Sequence, residues 1–414
     1  MKLSDHEQAM LAGEDGPARK WAMEHMVQVG GMFDADDTVV ISQVHMMADP
    51  ESLGVAGVEF LENLACHAPE ERRVRVPMIT DPRGVDLEYY RPLGQTEEMA
   101  DLERRSIAAC EALGILMTNT CINYQTVMPP VRGEHLAYGD TGVVIYSNSV
   151  LGAYSNFEGG PSAMAAGLTG RTPRYGLHLD ENRKATKRFV VRHQPQGLTE
   201  WGVLGALVGR LSGSYWEVPV IEGIERTPTS DEMKHLGAAM ASFGSTPLFH
   251  MVGITPEAPA LADVCGGQPP QAREITRADL EALKGSFGGK GDKVDVVVFA
   301  APQLSIVEMD QVAGLLDGQK IHPDTSVIVC TAPTVAADAQ RMGITKRIEK
   351  SGAKVLQGTC FYQQHAREIG EANGWKRLLS NSTKIVNIIA GYGYEPALAS
   401  MEECVASAVK GEIV

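Results

Sequence analysis

Val294-Asp295-Val296-Val297-Val298-Phe299-Ala300-Ala301-Pro302-Gln303-Leu304-Ser305, with Ser326-Val327-Ile328-Val329-Cys330 and Lys354-Val355-Leu356 downstream, decides the fold. A short apolar run rich in β-branched residues reads as a strand buried on both faces. Between these runs lie helices. Ser305 and Glu308 form a capping box that opens one to Leu316, and Ala336–Ser351 has the spacing of another. Strand alternating with helix requires a parallel sheet, so the fold class is α/β. Thr276 with Asp279 caps a helix ahead of this layer, and Lys384–Ala390 is read as the segment that closes it. The domain line is therefore drawn between a main region, 1–270, and a β-α-β-α-β domain, 271–414, whose end is free to return to the first region.

The same rhythm runs upstream. Ser4 with Glu7 caps a first helix, and a loop at Gly13, Gly16 and Pro17 precedes a second. Thr38–Ser42 reads as a strand ending near His45, Val55–Cys66 as a helix, and Arg73–Ile79 as a strand opening into the polar turn Thr80–Asp86. A charged helix over Thr96–Leu113 leads to Ile115-Leu116-Met117. Gly142–Tyr146 reads as a further strand. Small residues at helical spacing in Gly202–Gly209 point to close helix packing, and Thr229 with Glu232 caps a helix to about Ser242. Pro256–Arg273, rich in proline and glycine, reads as a loop or a crossing between domains.

The chain has 414 residues, 37 Lys and Arg against 52 Asp and Glu, and a formal charge of −15. That balance excludes a phosphate-backbone partner, which needs clustered cations, and an anionic membrane surface. There is no signal peptide pattern and no apolar run of spanning length. The seven cysteines lack CxxC spacing, which is the usage of a reduced cytoplasmic chain. Cys66, Cys110 and Cys404 fall on predicted helices and read as core residues.

Ligands of open α/β sheets bind beyond the carboxyl ends of the strands. That rule collects His45, Thr80–Asp86, Thr118–Tyr124, Ser147–Asn156, Pro302–Ser305, Thr331–Pro333 and Thr359-Cys360. Gly285–Gly291 has the look of a phosphate loop, but Lys290 lacks a following Ser or Thr and the stretch precedes its strand. No GxGxxG, GxSxG or HExxH occurs. Cys121 and Cys360 follow strands in polar loops, where soft thiolates can hold iron.

Several longer stretches resemble one family. "AMLAGEDGPA" at 9–18, "GVAGVEFLE" at 54–62, "SNSVLGAYSNFEGGPSAMAAGLTGRTP" at 147–173, "PLFHMVGITPEAP" at 247–259 and "SNSTKIVN" at 380–387 are similar to the large subunit of aconitase X. The resemblance spans essentially the whole chain. It implies aconitase-like multi-layer domains with largely parallel sheets and a hydro-lyase activity on a small acid such as cis-3-hydroxy-L-proline or mevalonate 5-phosphate. "PMITDPRGVD" at 77–86 favours the former. It also implies a small swivelling-domain subunit as partner, making a heterodimer, since that domain has no counterpart here.

The family's chemistry pairs a Lewis-acid iron site with a base that removes a proton from carbon. Three cysteines hold its cluster, in segments like TCxPY, GCPHxS and DTC. Cys121 and Cys360 match the first and last as metal ligands. The middle one is absent: Ala301 stands in its place, and Gln303 in that of the histidine. Tyr154 stands where arginine is expected. The cofactor is thus an iron–sulfur cluster or iron, with Cys330 or Cys265 as substitute ligand, or there is none and the enzyme is a cluster-free lyase or isomerase. A non-catalytic metabolite-binding relative is the third reading. By position, His45, Ser149 and Lys384 are candidate catalytic residues. Asn148, Asn156, Arg83, Asp86 and Ser382 are candidates for substrate binding, with the helix after Glu158 offering amides to an anion.

Overall fold

The computed structural model describes residues 1–414. Its C-terminal sheet has the strand order Lys354–Gln357, Ser326–Thr331, Val296–Leu304, Arg377–Ser380, Glu395–Leu398, parallel throughout. Every residue of Val296–Leu304 is buried, as expected of a central strand covered on both faces. The capping boxes at Ser4, Thr229, Thr276 and Ser305 all form. The closing segment is a helix, Thr383–Ile388, capped by Ser382, and the sheet is closed by the edge strand after it, Glu395–Leu398. The run 336–351 divides into Pro333–Arg341 and Ile344–Lys350, because Gly343 adopts a left-handed backbone, φ 74°, between them.

A second parallel sheet has the order His250–Met251, Pro219–Glu222, Lys187–Val191, Ala272–Ile275. The strand just beyond residue 270 thus pairs with the middle of the chain, and the helix Leu261–Val264 interrupts the proline-rich stretch before it. The N-terminal region holds a three-stranded parallel sheet, ordered Met78–Thr80, Val44–Met46, Ala137–Tyr138. The strand read as Thr38–Ser42 is two: Thr38–Val40 pairs antiparallel with Arg171–Pro173, and His45 sits on the second, Val44–Met46. Gly142–Tyr146 is likewise not a strand. It lies in the helix Thr141–Ser149, started by Asp140, whose side chain accepts the Val143 amide at 3.0 Å. Valine and isoleucine there suggested extended chain, but the cap and burial on all sides outweigh that preference.

One core runs from the middle helices into the C-terminal sheet, and a separate one fills the N-terminal region around Met23, Met46, Met78 and Met164. Cys110 and Cys404 are buried in these cores, whereas Cys66 ends its helix exposed. No helix is long and apolar enough to cross a membrane. The helices Gly197–Ser212 and Ser230–Gly244 cross at glycine: a Cβ on Gly205 would lie 2.0 Å from the Leu236 carbonyl oxygen, and one on Gly209 2.3 Å from that of Met240. Only glycine permits that approach. Gly205→Val should lower the unfolding free energy by about 3 kcal/mol, read as a shift of the urea midpoint, because backbone rather than a flexible side chain must yield.

Candidate active site

The N-terminal and C-terminal sheets point the carboxyl ends of their strands at each other. Val44–Met46 supplies His45, Met78–Thr80 leads into Asp81, and Ala137–Tyr138 leads to Asp140. From the opposite side, Val296–Leu304 brings Gln303, Lys354–Gln357 leads to Cys360, and Arg377–Ser380 leads to Lys384. His45, Asp81, Cys121, Asp140, Cys360 and Lys384 are all at most 3% exposed, and Tyr362, half-buried, lies at their rim.

The charges in this cluster are divided. Lys384 Nζ donates to Asp140 Oδ2 at 3.3 Å. Burial opposes both charges, but the lysine and the Val143 amide hold the Asp140 carboxyl below its ordinary range, while Asp140 and its neighbours raise Lys384. Asp81 goes the other way. Burial, then Asp140 and Cys121 beside it, raise it well above the carboxylate range, and only Gln363, donating to Oδ2 at 2.6 Å, acts against them. The surroundings thus favour the ionised form of Asp140 and the protonated form of Asp81. His45 Nε2 donates to the Thr120 carbonyl at 2.8 Å and lies 3.5 Å from Asp81 Oδ1. Burial lowers the imidazole, so it is neutral, with Nδ1 as its bare nitrogen.

Two polar atoms of the cluster, His45 Nδ1 and Asp81 Oδ1, are buried without a hydrogen-bond partner, as is the Tyr124 hydroxyl near Cys121. Buried groups left in this state are costly, and their convergence marks a place where water or a ligand completes them.

The other sequence candidates hold the framework. Asn148 spends its carboxamide on Ser155 and on the Pro247 carbonyl, Asn156 on Tyr175, Leu177 and Tyr215, and Ser149 Oγ accepts the Phe249 amide at 2.9 Å. Ser382 caps its helix and donates to the Ala301 carbonyl at 2.5 Å. Arg83 and Asp86 tie the 80–86 turn to the C-terminal region, through the Gln357 carbonyl at 3.2 Å and the Gln357 amide at 3.2 Å. Tyr154 donates to Asp180, with the Arg183 guanidinium 4.1 Å above its ring. Glu158 is buried on Thr172, its carboxyl pushed up to about 7 by burial.

Asp81 and Asp140 were missed as individuals. Asp81 is the first ionisable residue after its strand, which is the available signal. Asp140 follows a strand of two residues that carries no periodicity at all.

The residues do not fit a cluster held by three cysteines. Cys121 and Cys360 are neighbours, and burial, with Cys360 beside it, raises the Cys121 thiol. The loop that should bring a third sulfur brings the methyl of Ala301, and the Gln303 amide donates to Cys121 Sγ at 3.4 Å. Cys330 faces Gln364 and Thr359, its thiol pushed up to about 12 by burial. Cys265 packs in a separate small core with Ala185, Val220 and Val264. No three His, Cys, Asp or Glu side chains are placed so that they could hold one metal ion.

Models of the aconitase X first, second and third domains match residues 1–181, 185–285 and 294–410. The chain belongs to the aconitase X family. It is 34% identical over 391 residues to the phosphomevalonate dehydratase large subunit of Methanothermobacter thermautotrophicus, covering 94% of each chain. With the cis-3-hydroxy-L-proline dehydratase of Pseudomonas aeruginosa it shares 30% over 419 residues, 99% of this chain and 70% of that one. The crystal structure of Thermococcus kodakaraensis aconitase X in its holo-form superposes with a TM-score of 0.87 at 29% identity, covering 99% of this chain and 100% of that one. The parallel-sheet α/β fold is thus the family's. Dehydratases are carbon–oxygen hydro-lyases, and this chain is an enzyme of that class.

Next to the site, Asp49 and Glu103 are buried carboxyls pushed up to about 7 and about 8, mainly by burial and, for Glu103, also by Asp49. A raised carboxyl stabilises the fold fully below its unfolded value and loses that contribution as pH rises through the folded one. Glu103→Gln should therefore match wild type near pH 5 and gain on it by on the order of 2 kcal/mol as pH rises through 8. Urea midpoints of the two proteins across this window measure the difference.

Proposed function

We propose that the chain is the large subunit of a two-subunit cytoplasmic dehydratase acting on a small zwitterionic hydroxy acid, with cis-3-hydroxy-L-proline as the substrate. The observation that carries this reading is the pair of buried carboxyls, Asp81 beside His45 and raised, Asp140 beside Lys384 and lowered. A phosphate monoester brings about −1.5 to −2 charges and is ordinarily met by guanidinium groups. Here Lys384 is paired with Asp140, and Arg83 is engaged by a backbone carbonyl. A zwitterionic amino acid, whose own charges balance, suits a pocket in which Asp140 and Lys384 already neutralise each other. The large-subunit names of the other relatives support a separate small subunit. Mevalonate 5-phosphate is the second reading, favoured by the end-to-end match to the phosphomevalonate enzymes.

Elimination breaks a C–H and a C–O bond. In this reading His45 Nδ1 takes the proton from carbon, and the freed electron pair becomes the double bond. The hydroxyl leaves as water with the proton of Asp81. After the product and water leave, Nδ1 releases its proton to solvent and Asp81 takes one up, which restores both groups, while Nε2–H stays on the Thr120 carbonyl. Lys384 stays paired with Asp140 and keeps that carboxyl ionised beside the reacting groups.

Co-expressed with its small subunit, the protein should dehydrate cis-3-hydroxy-L-proline, with mevalonate 5-phosphate as the comparison. Asp81→Asn should lower kcat by about 10²–10⁴-fold with KM little changed. Turnover of the phosphate ester alone overturns the substrate assignment, and unchanged kcat in Asp81→Asn overturns the acid.

A further inference from the structure

Gln303 is wholly buried, and its carboxamide joins three separate loops. Nε2 lies 3.1 Å from the Asn119 carbonyl, 3.3 Å from that of Thr331 and 3.1 Å from that of Thr359, while Oε1 accepts the Cys121 amide at 3.3 Å. These loops carry Cys121 and Cys360. Behind it, Lys234 donates to the Gln303 carbonyl at 3.1 Å and pairs with Glu308, which also caps the next helix by accepting the Ser305 amide at 2.9 Å. His235 binds the other Glu308 oxygen at 2.8 Å. Ala301, two residues before Gln303, offers no donor atom.

We propose that Gln303 is a positioning residue that braces the three active-site loops by hydrogen bonds, in place of a metal cluster, and that Lys234 and Glu308 anchor it. The loops then hold Cys121 and Cys360 in their protected positions with no iron present, whichever acid the enzyme dehydrates. Three carbonyls from different loops meet one carboxamide, and its oxygen returns to the loop of the first. A leucine of similar volume fills the space and satisfies none of them.

The test is alkylation of native thiols, followed residue by residue by mass spectrometry, on the full chain purified anaerobically with its small subunit. Iron and sulfide are assayed on the same sample. Wild type should hold neither in stoichiometric amount, and its Cys121 and Cys360 should label at the same slow rate with or without a chelator. In Gln303→Leu these two should label at least about tenfold faster by local opening, with Cys110 and Cys404 unchanged as controls for global unfolding. The double variant Ala301→Cys/Gln303→His, supplied with iron and sulfide, should acquire visible absorption and regain protection of the pair. Stoichiometric iron and sulfide in wild type, faster labelling on chelation, or wild-type labelling in Gln303→Leu would each overturn the proposal. None of these readouts depends on turnover, so a wrong substrate leaves the test intact.

Discussion

Asp140 and Lys384 come from opposite ends of the chain and meet at 3.3 Å, both buried. Removing either would strand a charge in a low-dielectric interior, a loss of about 3–5 kcal/mol by comparison with other buried pairs. The pair therefore fixes how the N-terminal and C-terminal sheets face each other. It also sets the chemistry: with Asp140 held ionised, a second carboxylate beside it is disfavoured, and Asp81 keeps its proton. One interaction thus both docks the sheets and differentiates the two acids.

Around that pair the loops are held by side chains hydrogen-bonded to one another and to the backbone. Gln303 ties three of them, and Arg83 and Asp86 clamp the 80–86 turn to the strand end at Gln357. Asn148, Ser149 and Asn156 brace the 147–156 segment from within. The polar density at the strand ends is therefore mostly scaffold. Its role is to keep a few atoms, such as Asp81 Oδ1 and His45 Nδ1, free of protein partners in the interior.

What the sequence reveals follows from how local each signal is. Capping boxes at Ser305 and Thr229 are decided within four residues, and the buried run Val296–Leu304 by its own composition, so both are legible. The strand-end rule found His45, Cys121, Cys360 and the segments that carry Asp81 and Gln303. It failed where an element is too short to have a period, as at Ala137–Tyr138, and with it Asp140 was lost. Thr141–Ser149 was misread because a helix buried on every side shows no stripe. Asn148 and Ser149 drew attention as polar residues in a distinctive segment, yet their partners Pro247 and Phe249 lie just ahead of the strand His250–Met251, and sequence does not display that pairing.

The central claim is that the two carboxyls are in opposite protonation states at neutral pH. Infrared difference spectra of the full chain with its small subunit, with Asp81→Asn and Asp140→Asn to assign the bands, test this directly. The account predicts a protonated carboxyl band at pH 7 that vanishes in Asp81→Asn and persists in Asp140→Asn. A spectrum in which Asp81 contributes only a carboxylate band at pH 7 would contradict it.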